Sequence, residues 1–370
     1  MTPTFQFVIA FLSTLILAFI FTGLVRIFAI KNNLLFPPRN RDSHKKPLPR
    51  VAGLAMFLAF VAVTLVYFTL VNPEAKIASG HWFGIDKKIV AIWLASAIIV
   101  GIMLVDDLKQ LSAPIKLFFQ MVAVTIIISA GIGIDFISTP FGAPINLNSV
   151  YIPFSLFGQT YHFSLWSDLL TFFWLIGMMN VINFIDGVDG LAGGVSGIAA
   201  LTLFALSLAV GQNAVAMIAI SLAGASAGFL FWNFPPAKIF MGDSGSMFLG
   251  LLLGVLPLIS GGKLATAFLV LGFAIVDGLI VVAARIYKGK NPLTTPDKTH
   301  LHHRFLAAGF SVRQAVVSMY LIATLFGWVA LRSTTSNKII ASSILVVLVG
   351  VLIIVLNQIK KSRRNRLEEK

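Results

Sequence analysis

An apolar run gives way to a polar, glycine-rich turn in residues 180–191, which read NVINFIDGVDGL. Two amides and two carboxylates recur there at every third position: Asn180, Asn183, Asp186 and Asp189. Residues three apart share one face of a helix, so the two asparagines would project together from its last turn. The intervening glycines let the backbone break and place both aspartates in the turn. Such a polar set at the end of an apolar helix is costly in lipid unless it serves a site.

The composition is typical of a polytopic membrane protein. Of the 370 residues, 58% are hydrophobic and 11% are charged, and the mean hydropathy is +0.92. Because backbone polar groups in lipid must be paired within helices, we expect an all-α fold. About eleven apolar stretches are long enough, or nearly so, to cross a bilayer, which takes about 20 residues. The predicted spans are roughly residues 6–28, 51–71, 89–105, 115–134, 167–185, 194–210, 214–231, 245–260, 264–284, 315–331 and 339–356.

These spans predict one integral membrane domain, residues 1–357, followed by a basic cytoplasmic tail, residues 358–370. The first apolar stretch lacks a preceding basic segment and is too long for a typical signal peptide, so we expect it to be a span. The chain has no cysteine, which excludes disulfides and thiol chemistry.

The distribution of positive charge predicts the orientation in the membrane. With these spans, 22 of the 28 Lys and Arg residues fall on one side and six on the other. Cytoplasmic loops carry the excess of Lys and Arg, so the amino terminus is predicted outside and the carboxyl terminus in the cytoplasm. The net charge of +14 therefore follows mainly from topology, and we expect no nucleic-acid partner.

The first two predicted inner loops carry groups that suit an anionic substrate and a metal. The proline-rich basic loop 36–53 includes Lys46. The next loop opens with Asp106 and Asp107, and Lys116 follows at the start of the next span. Adjacent carboxylates repel each other and are best tolerated beside a cation or a metal.

Two later inner loops add further candidate residues. Residues 233–246 read NFPPAKIFMGDSGS and place Asp243 between glycines just before a new helix. Backbone N–H groups at a helix start suit a phosphate or a metal–phosphate, with Asp243 as metal ligand and Phe240 as a stacking surface. The last inner loop offers basic groups for phosphate, an acidic sugar nucleotide or, less readily, zinc. These groups are His300, His302, His303 and Arg304.

Two segments elsewhere also carry predictions. The ninth span contains Asp277, eight residues before Arg285, and an intramembrane acid is functional or paired by default. The long outer loop 135–165 alternates turn residues with short apolar and aromatic runs, which indicates an interfacial hairpin.

Hydropathy and charge alone place all of the inner loops that carry the acidic and histidine motifs on the cytoplasmic face. This coincidence predicts one composite site at the membrane–cytosol boundary. Its carboxylate and amide oxygens suit a hard cation, and its basic groups suit phosphate. Mg²⁺ takes few protein carboxylates and keeps substrate phosphate oxygens among its ligands, so we expect Mg²⁺, with Mn²⁺ as an alternative.

Taken together, the motifs resemble those of the polyprenyl-phosphate N-acetylhexosamine-1-phosphate transferase family. The resemblance covers about residues 30–310, and its motifs agree in order as well as in content. The matching elements are residues 180–191, Asp106-Asp107, residues 233–246 and the His-Leu-His-His run 300–303. The His-x-His-His pattern is more similar to the bacterial undecaprenyl-phosphate GlcNAc-1-phosphate transferases than to the phospho-MurNAc-pentapeptide transferases, which carry three adjacent histidines. One departure is Ala52, where many members have a glycine.

The resemblance implies transfer of N-acetylglucosamine-1-phosphate from a UDP-sugar to undecaprenyl phosphate, with release of UMP. The product would start a cell-surface glycan, such as a cell-wall polymer or a lipopolysaccharide O-antigen. The site would face the cytoplasm from the bacterial cytoplasmic (inner) membrane, and a homodimer is possible.

The resemblance also implies roles for single residues. Asp243 and Asn183 resemble the Mg²⁺ ligands, and Asp189 and Phe240 the uracil-binding pair. The candidate catalytic carboxylates are Asp106, Asp107 and Asp186. The candidate substrate-binding residues are Lys46, Lys116, Asn180, Asp189, Phe240, His300, His302, His303 and Arg304.

Three alternatives remain at this stage. The same reaction with another UDP-N-acetylhexosamine fits these residues equally well. A lipid or solute transporter would also carry intramembrane acids, but it should show internal repeats and polar residues at mid-membrane. A structural membrane protein would not need three separate acidic inner loops.

Overall fold

The computed structural model describes residues 3–37, 47–75, 77, 80–82, 84–139, 143–156, 159–260, 264–289 and 300–368. Lys46, a predicted phosphate contact, lies outside these residues. The fold within them is all-α apart from three short antiparallel hairpins, which confirms the predicted fold class.

Thirteen α-helices follow one another along these segments. They are α1 (Pro3–Lys31), α2 (Ala52–Val66), α3 (Lys87–Lys109), α4 (Ala113–Ser129), α5 (Leu165–Ile185), α6 (Leu191–Ala209), α7 (Asn213–Asn233), α8 (Gly242–Ile259), α9 (Leu264–Val270), α10 (Gly272–Tyr287), α11 (Leu301–Ala308), α12 (Val312–Arg332) and α13 (Thr335–Glu368). A π-helical turn, Tyr67–Val71, extends α2.

One hairpin lies in the connection before α3, and the other two lie in the connection between α4 and α5. They pair β1 (His81–Trp82) with β2 (Ile85–Asp86), β3 (Phe136–Ile137) with β4 (Ile145–Asn146), and β5 (Tyr151–Leu156) with β6 (Gln159–Ser164). The hairpin predicted for the long outer loop is therefore present.

All eleven predicted spans coincide with helical segments, but two of them are not simple full-length spans. Nine of the described helices are long and apolar enough to cross a membrane. The helix α4 has only 17 residues. The predicted ninth span is broken into α9 and α10, which meet at 81°, so counting this pair as one span gives up to ten. Gly272 follows the break, and a side chain there would overlap Leu345 of α13.

Helix α8 is the centre of the helical bundle. It packs against α2, α3 and α5, and every residue in it is buried except Asp243. Gly250 and Gly254 allow α8 to approach α5 closely, since a Cβ on Gly250 would lie 2.6 Å from the carbonyl oxygen of Met178. Small residues at such crossings are typical of helix packing in membranes. The first turn of α8 is thereby held rigidly at one end of the bundle.

The last helix continues well beyond the predicted final span. It runs without interruption to Glu368, so the basic tail predicted from residue 358 prolongs the helix of that span. Near its far end α13 packs against α11, which begins within the histidine motif.

Candidate active site

The site is a polar cavity of about 400 Å³ at one end of the bundle. It lies where α3 and α5 end and where α4 and α8 begin. The helix starts direct backbone N–H groups and positive dipole ends toward it, which favours anionic ligands. The lining residues are Phe36, Arg50, Asp106, Asp107, Gln110, Leu111, Lys116, Asn183 and Asp243.

Asp107 is the residue that anchors α8 to α3. Its carboxylate accepts hydrogen bonds from the backbone N–H groups of Asp243 (2.7 Å) and Ser244 (3.1 Å) and from the Ser244 hydroxyl (2.6 Å). The first N–H groups of a helix have no partner within it, so a carboxylate there acts as a cap. Gly242 has a φ of +73°, and a Cβ on it would overlap this carboxylate. The junction between α3 and α8 therefore requires both Gly242 and Asp107.

Lys116 joins the other two carboxylates of the cavity. Its Nζ lies 2.6 Å from Oδ2 of Asp106 and 2.9 Å from Oδ2 of Asp243. Asp106 also accepts a hydrogen bond from the backbone N–H of Leu111, 2.6 Å away. The expectation that a cation stands beside the adjacent acids is confirmed for Asp106, whereas Asp107 accepts hydrogen bonds from two backbone N–H groups and a hydroxyl.

Asn183 completes the group on the α5 side. Its Nδ2 donates to Oδ1 of Asp243 (3.1 Å) and to Oγ of Ser246 (2.8 Å). Since the amide nitrogen makes both contacts, the carbonyl oxygen of Asn183 is the atom it could offer to a cation. Asn183 and Asp243, the predicted metal pair, are therefore in direct contact.

The donor set fits a hard divalent cation. Asp106, Asp107 and Asp243 each present a carboxylate oxygen, and these three atoms lie within 4.8 Å of one another. Oxygen donors at such spacing suit Mg²⁺ or Mn²⁺, and thiolate ligands are excluded because the chain has no cysteine.

Asn180 lies one turn below this group. Its Nδ2 donates to the carbonyl oxygen of Ile176 (2.8 Å) and to Oε1 of Gln120 (3.3 Å). Within the described part of the chain, Asn180 does not line the cavity. The two asparagines share a helix face as predicted, but only Asn183 reaches the carboxylates.

Asp186 begins the turn that follows α5. The turn spans residues 186–190, and Gly190 adopts a φ of +78°. Burial raises the pKa of Asp186 well above its ordinary value, and the guanidinium of Arg50 partly opposes that rise. Asp186 is not among the described residues that line the cavity.

Asp189 and Phe240 lie on two loops that are joined to each other. Oδ2 of Asp189 accepts the backbone N–H of Ala237 at 3.0 Å. Asn233 accepts the N–H of Gly190 (2.8 Å) and donates to the carbonyl oxygen of Ile239 (2.9 Å). These hydrogen bonds connect the turn 186–190 and the loop 234–240 into one unit.

The first basic loop docks on the same unit through its backbone. The N–H of Phe240 donates to the carbonyl oxygen of Pro49 (2.9 Å). The N–H groups of Ala52 and Gly53 donate to the carbonyl oxygens of residues 240 and 241, respectively. Gly53 makes the close approach, since a Cβ there would overlap the backbone of Gly245. Ala52 is completely buried without such a conflict, so its departure from the family pattern is accommodated.

Arg50 is the main site residue that sequence reasoning missed. Its guanidinium lies 6.0 Å from the ring centroid of Phe36 and 5.8 Å from that of Phe240. The available signal was its position directly before α2 in the basic loop, on the side that carries the acidic motifs. Arg50 and Lys116 together bring two cations to the wall of the cavity.

The histidine motif is held by the intramembrane acid of α10. Oδ2 of Asp277 lies 2.9 Å from Nδ1 of His300, and Oδ1 accepts the backbone N–H of Leu301 at 2.8 Å. Asp277 therefore caps α11, which confirms that this intramembrane acid is paired. Arg285 lies instead over the ring of Phe184, 5.7 Å from its centroid.

The remaining residues of the motif differ in their exposure. His302 is buried against Gly187, where a Cβ would lie 2.8 Å from Nε2 of His302. Burial lowers the pKa of His302 well below its ordinary value. His303 and Arg304 are half-buried, and Nη1 of Arg304 donates to Asn357 of α13 at 3.0 Å.

The fold and the site define an integral membrane protein with a polar, carboxylate-lined cavity at one end of its helices. Comparison with known proteins identifies the kind of protein this is. The glycosyl transferase family 4 profile matches residues 89–261. A probable undecaprenyl-phosphate N-acetylglucosaminyl 1-phosphate transferase of Bacillus subtilis (strain 168) is 33% identical, and the match covers 89% of this chain and 86% of the relative.

Two further relatives have names that describe the same kind of transferase. A decaprenyl-phosphate N-acetylglucosaminephosphotransferase of Mycolicibacterium smegmatis is 32% identical over 86% of this chain and 80% of its own length. An undecaprenyl-phosphate alpha-N-acetylglucosaminyl 1-phosphate transferase of Thermotoga maritima is 31% identical over 78% of this chain and 79% of its own length. The chain belongs to glycosyl transferase family 4, within the polyprenyl-phosphate N-acetylhexosamine-1-phosphate transferases that its motifs resemble.

Proposed function

We propose that the protein transfers N-acetylglucosamine-1-phosphate from UDP-GlcNAc to undecaprenyl phosphate and releases UMP. The observation that carries this proposal is the cluster of Asp106, Asp107 and Asp243 at the end of a membrane-spanning bundle, with Lys116 paired to Asp106 and Asp243. Such a site suits a diphosphate brought from the cytosol and a phosphate presented by a lipid. The names of the relatives support undecaprenyl phosphate as acceptor and N-acetylglucosamine-1-phosphate as the transferred group.

The residues that would hold Mg²⁺ are Asp243 and the carbonyl oxygen of Asn183. When bound, Mg²⁺ would supply charge neutralisation and a template for the donor diphosphate. Lys116 neutralises Asp106 and Asp243 from the α4 side, and Asp107 keeps the first turn of α8 in place. Divalent-cation dependence is thus part of the proposal.

Direct attack by the lipid phosphate fits the chemistry of these residues. A phosphate monoester has a second pKa near 6, so it is largely a dianion at neutral pH and needs little help from a general base. One of its oxygens attacks the β-phosphorus of the donor, the bond from that phosphorus to the bridging oxygen breaks, and UMP leaves. Lys116 and Arg50 would orient the two anions, so catalysis rests on alignment and charge neutralisation.

Covalent catalysis by Asp107 is disfavoured by its contacts. Both of its oxygens already accept hydrogen bonds from the start of α8, and moving them would release that helix end. We therefore assign Asp107 to holding the site, and Asp106 to placing Lys116 at the incoming lipid phosphate. Asp186, which is not among the described residues that line the cavity, would interact electrostatically with Arg50.

The donor would lie with its nucleotide toward the joined loops and its sugar toward the histidine motif. Asp189 and Phe240 are proposed to contact uracil. His303 and Arg304, which are half-buried, are proposed to contact the sugar phosphate, with His300 and His302 packed behind them. A homodimer stays a prediction.

The test is transfer by the purified protein in detergent with undecaprenyl phosphate, Mg²⁺ and a panel of UDP-sugars. We expect a lipid-linked product with UDP-GlcNAc and UMP in equal amount. A product only with another UDP-N-acetylhexosamine would change the sugar but keep the reaction. Energised uptake or flipping of a substrate without any UMP would instead support the transporter alternative.

A further inference from the structure

Helix α12 lies after the part of the chain that matches the family profile. It nevertheless contacts both the turn 186–190 and the loop 234–240, which are proposed to bind the nucleotide. The hydroxyl of Tyr320 donates to the carbonyl oxygen of Gly190, at the end of the turn 186–190. Nε of Arg313 donates to the carbonyl oxygen of Pro235, in the loop 234–240, at 3.0 Å. These two loops carry Asp189 and Phe240, respectively.

The spacing of the two side chains fits one purpose. Arg313 and Tyr320 are seven residues apart, which is about two helical turns and places them on the same face of α12. The loops they reach are themselves in contact, since a Cβ on Gly190 would lie 3.1 Å from Cδ of Pro235. One helix therefore donates hydrogen bonds to neighbouring carbonyl oxygens of both loops, those of Gly190 and Pro235.

The packing around Tyr320 makes its contact specific. A Cβ on Gly194, in the first turn of α6, would overlap the Tyr320 ring. The absence of a side chain at Gly194 therefore leaves room for the Tyr320 ring to reach the turn 186–190. At its start α12 has a capping box, in which Ser311 and Gln314 satisfy each other's backbone N–H groups, so the segment carrying Arg313 is firmly helical.

We propose that Tyr320 and Arg313 are positioning residues for the nucleotide end of the donor. They fix the separation between the carboxylate of Asp189 and the ring of Phe240, and thus the affinity for UMP and for the UDP-sugar. The proposed function places the lipid phosphate beside Asp106 and Lys116 rather than at these loops, so we expect its binding not to depend on Tyr320 and Arg313. This inference rests on the proposed function for the identity of the nucleotide.

The test compares Tyr320→Phe with the wild-type protein. Loss of one neutral hydrogen bond that positions a binding loop should raise KM for UDP-GlcNAc and the Kd for UMP together, by about threefold to tenfold. We expect kcat and KM for undecaprenyl phosphate to stay within about twofold. Tyr287→Phe is the matched control, because Tyr287 is 92% exposed at the end of α10.

Arg313 supplies an independent variant in case Tyr320→Phe fails to fold. Arg313→Ala should shift the same two constants, and Arg313→Lys, which can still donate to Pro235, should restore much of the loss. An unchanged Kd for UMP in both Tyr320→Phe and Arg313→Ala would overturn the proposal, as would an equal rise in both KM values. UMP binding by calorimetry gives this answer without turnover, so absence of transfer by the wild-type protein would contradict the proposed function alone.

Discussion

The carboxylate of Asp107 accepts the backbone N–H of Asp243, with Oδ1 2.7 Å from the nitrogen. This contact joins the end of α3 to the start of α8 across 136 residues of sequence. It gives the two members of the acidic pair separate tasks. Asp107 holds the helix that carries the metal-ligand candidate, while its neighbour Asp106 contacts Lys116 inside the cavity.

These separate tasks predict different effects of substitution on stability. Asp107→Ala leaves two N–H groups and a hydroxyl of the α8 junction without their acceptor, which should cost about 2–3 kcal/mol of unfolding free energy. Asp106→Ala should cost less, because Lys116 retains Asp243 as a partner. Thermal unfolding in detergent measures both, and a smaller loss for Asp107→Ala than for Asp106→Ala would contradict the assignment.

Removal of the metal or of its main ligand should abolish transfer. We expect EDTA to inactivate the wild-type protein reversibly, and Asp243→Asn to lower kcat/KM by about a hundredfold or more, as loss of a metal ligand for the donor diphosphate would. The matched control is Asp135→Asn, at a hairpin on the opposite end of α4. Undiminished activity of Asp243→Ala in EDTA would contradict the claim that transfer requires a divalent cation bound by Asp243.

The buried His302 predicts how stability depends on pH. Its pKa is lowered by burial and by the neighbouring His303 and His300, so the unfolded chain binds this proton more tightly than the folded protein does. The contribution of His302 is therefore fully present above an unfolded pKa of about 6.5 and is lost as pH falls below it.

The measurement is the unfolding temperature at pH 7.5 and at pH 5.5. The decrease on acidification should be smaller in His302→Gln than in the wild-type protein. His81→Gln is the control, because His81 is exposed at the other end of α3. The same decrease in His302→Gln and wild type would show that His302 does not titrate in this way.

The side of the membrane that carries the site follows from the charge distribution. Reporter fusions after Asn72 and after Lys288 should report opposite sides, with the second in the cytoplasm. The structure places Asn72 at the far end of α2 from the cavity, and Lys288 just beyond the end of α10. Cytoplasmic signals from both fusions would contradict the predicted orientation.

Sequence patterns were sufficient for the helices and for most polar members of the site. Asn183, Lys116 and Asp243 were predicted because each interrupts or borders an apolar run on one predicted face, and they are in contact. The break between α9 and α10 was not predicted, because residues 270–272 contain no proline or polar residue and the packing of Leu345 against Gly272 cannot be read from local composition.

The roles of single residues depended on long-range contacts that no local pattern encodes. Gly187 and Gly190 were both expected to let the backbone break. Gly190 takes the positive φ in the turn, while Gly187 makes room for His302, a residue more than a hundred positions away. Arg50 was overlooked for the same reason. Its position between Phe36 and Phe240 follows from the docking of the first loop on residue 240.

The central claim is that the sugar is transferred together with one phosphate. The most direct test uses UDP-GlcNAc labelled with ³²P at the β-phosphorus and ³H in the sugar, with undecaprenyl phosphate and Mg²⁺. The account predicts that both labels enter the lipid in equal amounts, that UMP appears one for one, and that no UMP forms when the lipid is omitted. Retention of ³²P on the nucleotide as UDP, or a burst of UMP without lipid, would contradict it.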